Sequence, residues 1–455
     1  MNALQQLAKL ISDASNQHGS EAIERSQRAL TDTIACIFSG SDTDVALRSF
    51  QAVKDWGQGE AVIIGQSYST SPPFAAMVNG AAAHAQDFDD FDSPANAHPS
   101  AVLYPALLAQ ASNRLCSGRD LLDAHIIGIE VMQRLGEAMN MAHYRRGWLS
   151  TLTIGSLGAA AASARLLQLD TDRAAAALSV AASMASGLTN QGGYLCKQLH
   201  PGLAAKNGVM AAALAQAGID GSDQVIDGEI SLARCMGDYQ LEKFTAALKK
   251  LGDPWSILEH GLLMKAYPTC GYTHRVVDAA IALHPQLEEN DLLQIDKIEI
   301  SVPDYYLDLL IYPDPKTPAE AMFSAEYNVV SALLRGDFQL QDLNQSTLMG
   351  QQRRQLLKLC SVIGRIPPDK NIVYDPEDPD FVVVHLKDGR VLRAETRHLT
   401  GSPQKPMSET AFRKKFDSCV GSRKSPAGSK DLWQKLHGVD ELGDIGSLLA
   451  SLKAS

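Results

Sequence analysis

Between residues 84 and 100 the chain reads His-Ala-Gln-Asp-Phe-Asp-Asp-Phe-Asp-Ser-Pro-Ala-Asn-Ala-His-Pro-Ser, which gathers four aspartates and two histidines between two Ala-rich apolar stretches. Carboxylates and imidazoles exchange protons near neutral pH once burial or a neighbouring charge shifts them. If the preceding helix continues at about 3.6 residues per turn, His84, Asp87 and either Asp90 or Phe91 share one face. His98 precedes Pro99, and proline favours the first position of a helix, so His98 stands at a helix start. The alternative reading is a capped helix start with solvated acids.

Three further segments carry candidate groups. In Lys197-Gln198-Leu199-His200-Pro201-Gly202 the lysine and histidine are three apart, so a helical turn presents both to one pocket. An exposed lysine with a capping histidine is the other option. In Lys265-Ala266-Tyr267-Pro268-Thr269-Cys270 the proline biases Tyr267 to extended backbone and sets Lys265 at a chain reversal, with His274 in the helix that follows. Cys270 reads as a small structural thiol without a base partner. Leu310 to Pro318 holds three prolines in a rigid loop before a helix on which Tyr327 faces either the core or a cleft.

The elements that must position these groups fall into two regimes. From residue 1 to about 270, apolar residues recur at helical spacing over 3–15, 21–38, 44–56, 72–86, 99–114, 118–141, 150–166, 171–187 and 202–217. Alanine is dense, as in Ala159 to Ala162, and small residues let helix axes approach closely. Near residue 290 the pattern changes. Ile295 to Val302 alternates with period two and reads as a strand, and Phe381–Leu386 with Arg390–Leu392 reads as a hairpin around a type I′ Asp388-Gly389 turn. Pro318–Leu334 and Gln351–Val362 each read as one amphipathic helix, and helices return over 408–455. The expected fold is mostly α: a helical domain over 1–270, a smaller α+β domain over 271–400, and C-terminal helices over 401–455 that rejoin the first. The clusters Arg413-Lys414-Lys415 and Arg423-Lys424 read as solvated faces.

Composition narrows the function classes. A chain of 455 residues that is 45% hydrophobic has ample core, and no run of about 18 apolar residues predicts a membrane span. The net charge of −11 disfavours non-specific nucleic-acid binding. Seven cysteines without a Cys-x-x-Cys pair argue against a zinc site and a disulfide framework, and make the cytoplasm the expected location. No Gly-rich phosphate loop follows a strand, so no nucleotide cofactor is expected.

Asn79-Gly80, His84, Asp87-Phe88-Asp89-Asp90 and His98-Pro99-Ser100, in that order, resemble the MmgE/PrpD family, and similar segments recur over nearly the whole chain. The family includes 2-methylcitrate dehydratase, cis-aconitate decarboxylase and iminodisuccinate epimerase. The resemblance implies a large helical domain, an α+β lid domain, an active site between them, a homodimer, and neither metal nor cofactor. It carries Lys197 into the active site, makes Lys265 a ligand of the substrate carboxylate, and makes His274 a pocket residue. The loop at 310–318 looks like that of the epimerase. Two departures stand out. Leu149 occupies the place of a family histidine, and Phe91 the place of a threonine. Both remove polar groups from the implied pocket. They weigh against cis-aconitate decarboxylation and weaken the dehydratase reading, and a more apolar substrate is one explanation. Arg146, with Arg145, is left as a bidentate carboxylate clamp.

The expected chemistry is removal of a proton beside a carboxylate, with fixed donors for the enolate charge. His98, oriented by Asp87, is the expected acid/base, and Lys197 or His200 the second group. Lyase or epimerase action on a small di- or tricarboxylate follows. The alternatives are a decarboxylase of the cis-aconitate type or a non-catalytic dicarboxylate-binding protein.

Overall fold

A computed structural model describes residues 1–454. Its first core is helical. The helices that matter for the site are α1 (Ser20–Gly40), α2 (Pro72–His84), α3 (Pro99–Ala111), α4 (Gly118–Met139), α5 (Thr153–Leu166) and α6 (Leu195–Gln216). Helices α3 and α5 lack a solvated face: every residue of Pro99–Ala111 is buried, as is every residue of Thr153–Leu166 except Arg165. A helix without a polar face can be stable only inside such a bundle. Small residues allow the tight packing. A Cβ added at Gly202 of α6 would lie 2.1 Å from the Met77 carbonyl oxygen of α2, and one added at Gly80 would lie 2.7 Å from Gly202 Cα. The α2–α6 crossing therefore requires glycine on both sides, and these two helices carry His84 and Lys197. No helix among the described residues is long and apolar enough to cross a membrane.

A second core is built by residues 267–386 around a four-stranded sheet. Strands β1 (Ile295–Pro303), β2 (Cys360–Arg365), β3 (Asp380–Leu386) and β4 (Val391–Thr396) lie in the order β2-β1-β3-β4. The β1–β2 pair is parallel, and the β1–β3 and β3–β4 pairs are antiparallel. Ile298, Ile300 and Val302 are buried by the period-two alternation. Helices α7 (His274–Leu283) and α8 (Ala325–Arg335) pack on the sheet. The chain then returns to the first core through α9 (Glu409–Val420), which lies against α1.

Four local expectations are corrected. The helix expected over 318–334 is broken: a short turn at Pro318–Ala321 ends, and α8 begins afresh at Ala325 with the Ser324 hydroxyl accepting from Tyr327 N. Cys270 N and Thr269 Oγ1 both donate to the Met322 carbonyl, which draws that oxygen out of the helix. The helix at Gln351 stops at Leu357, and Cys360–Val362 enter β2, where alternate side chains face the sheet. The 387–390 turn has only Gly389 in the left-handed region, with Gly389 N donating to Leu386 O. That geometry is a type I turn closed by a left-handed glycine, in place of type I′. Finally, Lys415 is 6% exposed and sits 2.7 Å from Asp32 Oδ1, so it is no solvated face.

Candidate active site

Helix α2 ends at His84, so Asp87 does not continue its face. Asp87 has φ +48°, a left-handed conformation that aspartate tolerates better than most residues, and its N–H donates to His84 O. The reversal folds the acidic loop back over the helix end. A two-way bridge between Phe91 and Leu263 then ties this loop to the segment carrying Lys265. Through it Lys265 Nζ reaches both the Asp87 carbonyl oxygen at 2.9 Å and its Oδ1. From α6, Lys197 Nζ lies 3.1 Å from Asp87 Oδ2 and 2.5 Å from His84 Nε2. One buried carboxylate thus sits between two ammonium groups. Burial opposes the Asp87 charge, but Lys197 and Lys265 together hold its carboxyl well below the usual carboxylate range.

The second carboxylate, Asp89, is shared by two imidazoles. His84 Nδ1 is 2.8 Å from Asp89 Oδ1, and His98 Nδ1 is 3.3 Å from Asp89 Oδ2. His98 Nδ1 also lies 3.0 Å from the Asp90 carbonyl oxygen, which can only accept. The proton is therefore assigned to Nδ1, and the Nε2 lone pair is left facing the cavity, 3.8 Å from Asp87 Oδ1. Burial, reinforced by His84 and the two lysines and opposed by Asp89, lowers the His98 pKa to about 3. His98 is neutral at physiological pH. The orienting carboxylate is Asp89, where sequence reasoning looked to Asp87. Behind the ring, the Asp90 carboxylate accepts from Ser100 N at the start of α3, and Thr151 Oγ1 accepts from His98 N.

Lys197, His98 and Asp87 border a narrow cavity of about 390 Å³, counting its mouth. Phe91, Leu149, Leu309, Phe323 and Tyr374 form much of the remaining wall. Cys270 also borders it, with burial pushing its thiol up to about 11, so it is no thiolate. Lys265 is fully buried behind Asp87. His200 and His274 are buried beside the cluster and do not border the cavity: His200 Nε2 is 3.7 Å from Cys196 Sγ, and His274 Nε2 is 3.3 Å from Thr269 O. Burial lowers their pKa values to about 4 and about 3. Tyr327 is fully buried, and its hydroxyl donates to Asp342 O. Arg146 is exposed, and Arg145 is turned toward Asn371, so neither arginine reaches the cavity. Sequence reasoning placed His84 beside Asp87 without giving it a role, and gave none to Asp89. Their participation depends on the loop reversal at Asp87, although the His-x-x-x-x-Asp spacing contains both.

His84, Asp87, Asp89 and His98 each offer a ligand atom within 4.8 Å of the others. A divalent cation there would have to displace Lys197 and Lys265 from Asp87, so the two ammoniums already supply the positive charge that the acids require.

Comparison with known proteins gives the same family as the motifs. The MmgE/PrpD N-terminal domain model matches residues 5–244, and the MmgE/PrpD C-terminal domain model matches residues 267–434. The chain is 31% identical to cis-aconitate decarboxylase of Homo sapiens over 449 residues, covering 95% of this chain and 90% of the relative. It is 29% identical to that of Mus musculus over 443 residues, covering 95% and 89%. A cis-aconitate decarboxylase of Aspergillus terreus is 28% identical over 273 residues, covering 57% and 55%. With both domain models matched across this buried His–Asp–Lys cluster, the chain belongs to the MmgE/PrpD family.

Proposed function

We propose that this chain is a lyase that works by acid/base chemistry at the carbon beside a carboxylate, without a metal or cofactor. One observation carries the reading: a neutral His98 with its Nε2 lone pair faces the same cavity as the Lys197 ammonium. Lys197 binds the carboxylate. His98 Nε2 removes the proton from the adjacent carbon, and the C–H electron pair moves into the carboxylate as an enediolate held by the ammonium. The pair then expels the β-substituent, which takes up the proton that His98 Nε2 has removed, so that the imidazole returns to its neutral form. Arrival of the substrate anion adds negative charge beside His98 and raises its basicity when it is needed.

Decarboxylation is the second reading, favoured by the relatives' names. There the carbon–carbon bond to CO₂ breaks, its electron pair stays on carbon, and Lys197 is the cationic donor positioned to protonate it. Epimerisation would need a proton returned to the opposite face. A reducing compartment is part of the same proposal, supported by seven unpaired cysteines, and a homodimer is carried over from the family resemblance alone.

The test is proton NMR in D₂O with chelator present and a panel of methylcitrate, citrate, cis-aconitate, malate and iminodisuccinate. Deuterium at the α-carbon with a vinylic product supports elimination, loss of CO₂ supports decarboxylation, and exchange alone supports epimerisation. Ligand-induced thermal shifts without any exchange would replace the enzyme reading with a binding protein.

A further inference from the structure

We infer that the preferred substrate carries a single carboxylate, bound at the Lys197 end of the cavity, and an apolar substituent packed against Phe91, Leu149, Leu309 and Phe323. This rests on the acid/base reading of the site and adds to it the substrate class.

Charge is the first argument. Among the described residues that border the cavity, Lys197 is the only lysine or arginine, and Asp87 is the only acid. Lys265 is spent on Asp87 from behind and is fully buried. Both arginines of the 145–146 pair lie outside. A second or third carboxylate would enter a site with no cation left to meet it. An unpaired buried charge is strongly unfavourable, so each extra carboxylate works against binding.

The walls are the second argument. Apolar surface begins directly beside the reacting groups. The Phe91 ring lies edge-on to His98 at 5.6 Å between centroids and to Tyr374 at 5.9 Å. Lys197 Nζ is 5.2 Å from the Phe323 ring centroid. The Phe91 backbone is held by its two bonds to Leu263, which fixes where the side chain leaves the acidic loop. Leu149 is 8% exposed, and its N–H is taken by Gly187 O. Asn96, Tyr144, Thr151 and Tyr272 also border the cavity and offer neutral donors, but the apolar side chains give a substrate anchored at Lys197 and reacting at His98 a surface to extend along. Burying a short alkyl or aryl group there is favourable, whereas burying a carboxylate is not.

The experiment has two readouts on the full chain. Calorimetry compares 4-methylpentanoate with tricarballylate, two unreactive acids that differ in charge and apolar content. Proton NMR in D₂O compares 3-hydroxy-4-methylpentanoate with malate and citrate. The expected result is at least tenfold tighter binding of 4-methylpentanoate, and exchange or elimination with the hydroxy acid of matching shape. Leu149→Arg, with Phe91→Thr as a milder second variant, is expected to move the preference toward tricarballylate. Tighter binding of tricarballylate by the wild-type chain, or no binding of 4-methylpentanoate, overturns the inference. If malate or citrate then exchanges, the acid/base reading survives without it. If 4-methylpentanoate binds tightly and no compound exchanges, the ligand class stands and the acid/base reading falls.

Discussion

Asp89 stands behind His98, with Oδ2 3.3 Å from the ring Nδ1, while the Asp90 carbonyl oxygen fixes the same nitrogen at 3.0 Å. This pairing decides which nitrogen faces the cavity. It also explains why Asp87, the acid nearest the cavity, is engaged with two lysines instead of the histidine.

His98→Ala is expected to lower kcat by at least about a hundredfold while the chain stays folded, the usual scale for losing a general base. The pH profile tests the same assignment independently. The base form is required, and with the pKa lowered to about 3 it is lost only as pH falls through that value. So kcat/KM, which reports the free enzyme, should show no acid-side inflection between pH 5 and 7. A midpoint near the ordinary histidine value would sink the assignment.

Lys415 is expected to act as a positioning residue. Its Nζ donates to Phe88 O at 2.7 Å and Lys265 O at 2.9 Å, so one ammonium pins the acidic loop and the Lys265 segment together. Lys415→Met leaves Asp32 buried without a partner, which should cost about 3–5 kcal/mol in urea unfolding. Lys415→Met with Asp32→Asn should recover much of that stability. If the positioning role is right, kcat stays depressed in the double variant. Recovery of kcat together with stability would reduce Lys415 to a structural ion pair.

Much of this architecture was legible in the chain. Ala-rich helical spacing located the helices of the first core, and period-two alternation located β1 and β3. The motif at 84–100 marked the site because burial and titratable groups coincide there. What escaped was set by distant partners. Lys265 reaches Asp87 across 178 residues and Lys197 reaches His84 across 113, separations at which local periodicity carries no information. Lys415 sits in a basic triplet with the composition of a solvated face, and α1, the acidic loop and the Lys265 segment bury it together. The break before α8 follows from Cys270 and Thr269 capturing the Met322 carbonyl, a tertiary contact without a local signature. The left-handed Asp87 likewise ended a helix face that spacing alone would have continued.

Gly202→Ala should damage both stability and turnover. The new methyl would meet the Met77 carbonyl at 2.1 Å, and backbone cannot move aside as a side chain tip can. Relief requires α2 and α6 to separate. Overpacking of this kind typically costs about 1–3 kcal/mol. The same movement pulls Lys197 away from His84, so kcat should fall more than the loss of folded protein accounts for. Equal losses of kcat and folded fraction would show that the crossing does not set the site geometry. Gly443→Ala, with no atom within 4 Å of the added methyl, is the control.

Asp92→Asn should stabilise the protein above pH 6. Asp92 is 1% exposed, its Oδ1 accepts from Ala97 N, and its Oδ2 has no hydrogen-bond partner among the described residues. Burial, partly offset by the Ala97 and Ala95 amides, raises its pKa to about 6 from an ordinary value near 3.8. The folded state therefore binds this proton more tightly than the unfolded chain does. That contribution is fully present below about pH 4 and is lost as pH rises through 6, which leaves a buried charge worth on the order of 2–3 kcal/mol against folding at pH 8. Asparagine keeps the Oδ1 acceptor and removes the charge. Urea midpoints of the wild type should fall between pH 4 and 7 relative to those of Asp92→Asn, and the gap should close below pH 4. A gap that stays constant with pH would show that Asp92 does not titrate in this window, and a less stable variant at pH 8 would show that its charge is favourable in the fold.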